Sequence, residues 1–188
     1  MVKNFVYKFM MMNSPVGHLK LVGSEHGLAG VLWENDNPQR VRLDPQVFDD
    51  TAPILKETEK QLSEFFDGKR TAFNLPLDFN GTVFQKAVWM ELLNIPFGKL
   101  RTYGEIAKLI GRPNAVRAVG AANGKNPISI IAPCHRVIGS NGSLTGFAGG
   151  CEIKAILLKF EGHLIDDPMG IPYNRLTQIK GQRSLYVP

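Results

Sequence analysis

Along residues 4–34, apolar and polar positions come in short runs bounded by turn residues. Phe5-Val6-Tyr7, Leu19-Lys20-Leu21-Val22 and Leu28-Ala29-Gly30-Val31-Leu32-Trp33 are separated by Ser14-Pro15-Val16-Gly17 and Glu25-His26-Gly27. Runs of apolar, β-branched and aromatic residues between Gly/Pro turns predict strands. Residues 35–52 are polar and carry Pro38 and Pro45, which predicts a loop. The period then changes. Leu55, Glu59, Leu62 and Phe66 fall near one helical face across residues 53–67, and Asp67-Gly68 supplies a stop. Leu75-Pro76-Leu77-Asp78-Phe79 reads as a further short strand or as a linker.

From residue 81 onward helical spacing dominates. Thr82 followed by Gln85 forms a capping box, and Phe84, Val88 and Leu92, with Val83 and Ala87 alongside, predict one buried stripe that ends at Pro96-Phe97-Gly98. Thr102 and Glu105 form a second capping box, opening a short helix that Gly111 terminates. Pro113 sits near the start of a third helix, through about Ala122. Two short helices around Gly111-Arg112-Pro113 have the form of a helix-turn-helix. A recognition helix normally reads base edges with long polar side chains. This one carries Ala115, Ala118, Val119, Gly120 and Ala121, with Arg117 the exception. Its small residues serve either close approach to a nucleic acid or tight packing on a neighbour, and Arg117 is either a phosphate contact or a solvated charge. Asn123-Gly124-Lys125-Asn126-Pro127 forms a turn in which Asn126 is an Asx-turn candidate. Residues 151–160 predict a last helix with Ile153, Ile156, Leu157 and Phe160 on its apolar face and Gly162 as its stop. Lys154 and Glu161 lie seven residues apart, roughly on one side of it. The tail beyond residue 164 has Pro168, Pro172 and little periodicity.

Charge divides the chain. Residues 1–80 carry a net charge of −2 and residues 81–188 one of +7, within an overall +5. A basic C-terminal half fits a nucleic-acid partner, although many non-binding proteins have one too. No apolar run approaches the ~20 residues of a membrane span, and no secretory signal is apparent at the N-terminus. With 188 residues, 44% of them hydrophobic, the chain can build one large core or two small ones. Its two cysteines, Cys134 and Cys151, are too few for a disulfide scaffold and lack zinc spacing, so a reducing compartment and no metal are expected.

The candidate chemistry is concentrated at Ile131-Ala132-Pro133-Cys134-His135-Arg136-Val137-Ile138-Gly139. A thiol nucleophile needs a base within reach, yet successive side chains of a strand point to opposite faces. Cooperation between Cys134 and His135 therefore requires a turn or a bridging water. Pro133 and the glycines that follow are suited to such a turn. The alternative is a structural cysteine beside a core histidine.

Pro133-Cys134-His135-Arg136-Val137 resembles the active-site signature of the O6-alkylguanine-DNA alkyltransferases, also called methylated-DNA–protein-cysteine methyltransferases. The resemblance runs from about Gly81 to Gly162 and is weaker over the N-terminal part. It implies an α/β N-terminal domain with a ribonuclease H-like sheet (residues 1–80) and a mainly α domain with a winged helix-turn-helix (81–165), followed by a tail (166–188). It also implies suicidal repair in the cytoplasm by a monomer without cofactor. The partner is double-stranded DNA containing O6-alkylguanine, bound from the minor groove, with O4-alkylthymine as a second lesion.

The roles implied by the resemblance follow residue by residue. Cys134 takes the alkyl group, while His135 and Glu161 draw off its proton through water. Tyr103 donates to the purine, and Lys154 lies near the cysteine and O6. Asn126 braces the segment. Arg117 enters the base stack as the target nucleotide is extruded, with Tyr103, Ala118, Ala121 and Arg136 also at the DNA. Val137, Phe147 and Ala148 surround the base. Phe147 stands where members often carry Tyr, and Ala148 is small where some carry a hydroxyl residue; both bear on which lesions fit. Three other readings compete. A lesion sensor of this kind typically has Trp in place of Cys134. A helix-turn-helix regulator does not need the Cys-His segment. A Cys-His hydrolase would turn over, whereas a thioether is not hydrolysed by water.

Overall fold

The computed structural model of the chain describes residues 6–163. Four strands form the N-terminal sheet: β1 (Tyr7–Ser14), β2 (Gly17–Gly23), β3 (Leu28–Trp33) and β4 (Gln46–Phe48), in the order β3-β2-β1-β4. β1, β2 and β3 pair antiparallel, and β4 joins β1 in parallel. The sequence predicts a loop where β4 lies. Its three residues carry too little pattern to stand out, and pairing with β1 is what makes them a strand. Helix α1 (Pro53–Phe66) covers one face of the sheet. Leu55, Thr58, Leu62 and Phe65 are its buried side, whereas Glu59 turns outward to Lys56 and Phe66 is only half-buried. The opposite face carries a smaller core of Val22, Ala29, Leu32 and Leu43. Residues 75–79 act as a linker, with one isolated bridge from Leu77 to Leu28.

The C-terminal part contains α2 (Val83–Leu93), β5 (Arg101–Thr102), α3 (Tyr103–Leu109), α4 (Val116–Gly124), β6 (Val137–Ile138) and α5 (Gly150–Phe160). Both capping boxes are present at α2 and α3. The buried side of α2 differs from the predicted stripe. Val88, Trp89 and Leu92 face inward, while Val83 is 88% exposed and Ala87 is also exposed. Trp89 turns the helix this way because it finds both an apolar neighbour, Phe79, and a buried acceptor for its Nε1–H, the Ala122 carbonyl at 2.8 Å. Gly111, at φ 70°, closes α3, and the Arg112 N–H reaches back to the Ala107 carbonyl at 2.8 Å. α4 starts at Val116, three residues beyond Pro113, and includes Asn123 and Gly124, which the sequence places in the following turn.

The two parts share backbone. The outer edge of β3 pairs with the segment leading to Cys134: Val31 N–H donates to the Pro127 carbonyl at 2.9 Å, and Ser129 N–H to the Val31 carbonyl at 3.3 Å. No described helix is long and apolar enough to cross a membrane. The predicted tail, residues 166–188, lies outside the described residues.

Candidate active site

Beyond the turn at Asn126-Pro127, the apolar run from Ile128 to Ile131 forms no regular strand and follows an irregular path. Asn126 organises it. Its Oδ1 accepts the Ile128 N–H at 3.1 Å and its Nδ2 donates to the Ala132 carbonyl at 2.8 Å, so one side chain spans the whole detour. Ile130, fully buried, sits at φ 72°. A β-branched residue is disfavoured there by about 1–3 kcal/mol, a cost that surrounding packing must offset. The path ends in a 3-10 turn over Cys134–Arg136. That turn follows Pro133 and leaves both Cys134 and His135 buried.

His135 and Glu161 are both buried, with Nε2 of the ring 2.7 Å from Oε1. Glu161 is the C-cap residue of α5. Its carboxylate also accepts the Gly98 N–H at 2.9 Å and Arg136 Nε at 2.9 Å to both oxygens. Burial alone would raise its pKa, but hydrogen bonds and charge from His135 and Arg136 prevail and lower it to about 2. An ionised Glu161 accepts, so the ring proton of neutral His135 sits on Nε2. Nδ1 is then the bare nitrogen, and it has no partner among the described residues. Burial lowers the His135 pKa despite the carboxylate, which keeps the ring neutral and able to take a proton. Burial also raises the Cys134 thiol above its ordinary value, against a smaller lowering from Asn126 and Lys154. A relay that draws off the thiol proton at rest is therefore not what this environment favours; the resting pair is thiol and neutral imidazole.

Arg136 is the clearest departure. Expected at the DNA, it is buried, paired with Glu161 through Nη2 at 2.8 Å and donating through Nη1 to the Ile95 carbonyl at 2.5 Å. Its charge offsets that of Glu161, and its guanidinium is committed to the interior.

Lys154 is fully buried, where a lone lysine on a helix is ordinarily solvated. Its ammonium donates to the Val137 carbonyl at 2.5 Å and the Thr145 carbonyl at 2.8 Å, and burial lowers its pKa to about 8. Tyr103 donates to the same Thr145 carbonyl at 2.7 Å; burial first, then the nearby Cys134, raises its pKa to about 12 despite that hydrogen bond. For Tyr103 to donate to a purine it must exchange this partner. Phe147 and Ala148, half-buried, follow in the same loop. Arg117, Ala118 and Ala121 share the exposed face of α4.

Two residues to which the sequence assigned no role at the site also hold it. Asn123, buried on α4, donates to the Gly146 carbonyl at 3.2 Å and so ties that helix to the Phe147 loop. A polar residue among the small ones of α4 was its only signal. Arg40, paired in bidentate fashion with Asp36, donates to the carbonyls of Asn126 at 2.7 Å and Gly124 at 3.3 Å. Nothing local marks an arginine in a polar loop for this task, since its targets lie more than eighty residues away.

Residues 6–79 match the 6-O-methylguanine DNA methyltransferase ribonuclease-like domain, and residues 83–163 match the DNA-binding domain of the same name. The chain belongs to the 6-O-methylguanine DNA methyltransferase family. It is 47% identical over 154 residues to the methylated-DNA–protein-cysteine methyltransferase of Methanosarcina acetivorans, covering 82% of this chain and 97% of the relative. It is 45% identical over 155 residues to the protein of the same name from Mycobacterium bovis, covering 81% and 91%. Among solved structures, Mycobacterium tuberculosis OGT in complex with DNA superposes with a TM-score of 0.73 at 44% identity, over 83% of this chain and 92% of that one. The sheet with its covering helix is thus the ribonuclease-like domain of this methyltransferase family, and α2 to α5 build its helical DNA-binding domain.

Proposed function

We propose that the chain is a DNA repair protein, a methylated-DNA–protein-cysteine methyltransferase that moves the alkyl group of O6-alkylguanine onto Cys134. The observation that carries this reading is the buried His135-Glu161 pair one residue from the buried Cys134, with an unpartnered imidazole Nδ1 and the opposite ring nitrogen 2.7 Å from the carboxylate. It rests equally on relatives of that name at 41–47% identity.

The exposed face of α4 with Arg117, Ala118 and Ala121 approaches the minor groove, and Arg117 fills the stack left by the extruded nucleotide, which offsets an unstacking cost of a few kcal/mol. With the base in place, the thiol proton passes to His135 Nδ1, directly or through one water, and Glu161 stabilises the resulting imidazolium. The sulfur attacks the O6-bound carbon in line: the S–C bond forms, the C–O6 bond breaks, and the electron pair goes to guanine. Guanine recovers a proton from the site, where Tyr103 and the Lys154 ammonium lie close to the developing charge. The thioether is stable to water, so each molecule acts once. The protein acts as a monomer, without cofactor, in the reducing cytoplasm that a free thiol requires. O4-alkylthymine is a second lesion by the same chemistry.

Intact-protein mass after incubation with a duplex bearing one O6-methylguanine tests this. The expected result is a gain of about 14 Da on the Cys134 peptide, saturating at one equivalent, as nucleophilic transfer requires. Binding without any mass change would make the protein a lesion sensor. Neither binding nor transfer would leave a helix-turn-helix regulator as the better account.

A further inference from the structure

We infer that Trp33, at the end of β3 in the N-terminal domain, is a positioning residue for the wall of the alkyl pocket and sets how large an alkyl group the site accepts. The inference rests on the function proposed above. Trp33 is buried, and its ring meets Phe147 edge-on at a centroid separation of 5.4 Å and an interplanar angle of 62°. It touches the same loop a second time. A Cβ on Gly149 would lie 2.9 Å from Trp33 Cε2 and 3.0 Å from the Phe147 ring, tighter than ordinary van der Waals contact. The backbone at residue 149 therefore lies close against the indole, and a side chain there would make one of the two rings shift.

The indole is not held by its polar atom. Its buried Nε1 has no acceptor among the described residues. Trp89, by contrast, donates to the Ala122 carbonyl. What fixes Trp33 is its place in the ladder opposite Leu19 and its ring contact with the loop. On its other side the loop is fastened by polar groups of the C-terminal domain: Tyr103 and Lys154 on the Thr145 carbonyl, and Asn123 on that of Gly146. Phe147 thus stands between a hydrogen-bonded front and an aromatic backstop. The backstop comes from a domain that holds none of the reacting groups. Removing the indole leaves room behind Phe147, into which the ring can retreat, and a wider pocket favours a bulky alkyl group over methyl.

The test is the ratio of single-turnover transfer rates for duplexes carrying O6-benzylguanine and O6-methylguanine, measured on one protein sample so that the folded fraction cancels. Trp33→Ala is expected to raise the benzyl-to-methyl ratio about tenfold, within the range that pocket size commands in enzyme specificity. Trp33→Phe should give an intermediate ratio. Gly149→Ala should lower it by pushing the loop inward, and Trp33→Leu in the same chain should restore it. In a Phe147→Ala background the effect of Trp33→Ala should vanish. An unchanged ratio in Trp33→Ala, or a change that persists without Phe147, overturns the inference and leaves Trp33 a core residue. Failure of the unsubstituted protein to react with O6-methylguanine would instead overturn the proposed function.

Discussion

The N-terminal sheet, buried chiefly along β2 and β3, and the segment from Asn126 to Val137, buried throughout, are held by opposite means. In the sheet, backbone groups satisfy one another along regular ladders, and side chains such as Leu19, Leu21 and Val31 contribute apolar area alone. Such positions depend on volume and burial, with little demand for a particular residue. The segment before the nucleophile has one isolated bridge to β3 and otherwise no ladder. Local backbone turns take several of its carbonyls, and side chains take others at its two ends: Arg40 on Asn126 and Asn126 itself on Ala132, with Lys154 on Val137 just past the nucleophile. Irregular backbone can be buried only when each polar group finds such a partner. The lesson is that the reactive region is specified by a few polar residues whose loss is felt singly, and the sheet by many apolar ones.

Substitutions can break or sharpen that contrast. The largest effect is expected for Cys134→Ser: alkyl transfer lost outright, with the fold and duplex binding kept, seen as an unchanged melting curve beside a silent mass assay. Glu161→Gln comes next. It leaves Arg136 buried without its counter-charge and His135 without its carboxylate. A rate loss of about 10²- to 10⁴-fold is expected from the missing acid–base partner, and a stability loss of about 3–5 kcal/mol from the broken buried pair. Rapid-quench transfer and urea titration measure the two.

The same pair predicts how the unsubstituted protein responds to acid. His135 has a folded pKa below its ordinary 6.5, so the unfolded chain binds that proton first and stability starts to fall below about pH 6.5. Glu161, lowered from 4.5 to about 2, contributes fully above about 4.5 and loses its contribution as pH falls towards 2. Melting temperature measured from pH 8 to pH 3 should therefore decline in two stages. In Glu161→Gln the lower stage should shrink; an undiminished lower stage would assign it to other carboxylates.

In the sheet, Leu21→Ala should cost about 2–5 kcal/mol of stability and leave the transfer rate of the folded fraction unchanged. A slowed rate there would mean that the sheet does more than support. Arg40→Leu is the smallest of the four and bridges the two regions. It removes charge-assisted hydrogen bonds worth about 1.5–3 kcal/mol and frees the Asn126 and Gly124 carbonyls. Transfer should slow by more than the stability loss explains. If stability alone changes, the arginine is a domain staple and nothing more.

Local chemistry along the chain was enough for several features. Capping boxes at Thr82 and Thr102 fix helix starts because donor and acceptor lie three residues apart, and Gly111 ends α3 because only a positive φ closes that turn. β2 and β3 follow from runs between Gly/Pro turns, whereas the run read as the first strand, Phe5-Val6-Tyr7, meets β1 at Tyr7 alone; the family follows from five consecutive residues, Pro133 to Val137. What needed the tertiary structure was every decision made between distant positions. β4 exists through its pairing with β1, and α2 buries Trp89 instead of Val83 because Phe79 and the Ala122 carbonyl await it. Arg136 turns inward because Glu161 and the Ile95 carbonyl are there to receive it. A sequence states which groups are available within a few residues. The partner of a buried charge, and hence its protonation and its task, is set by whichever remote group the fold brings within about 3 Å, the range over which a hydrogen bond forms.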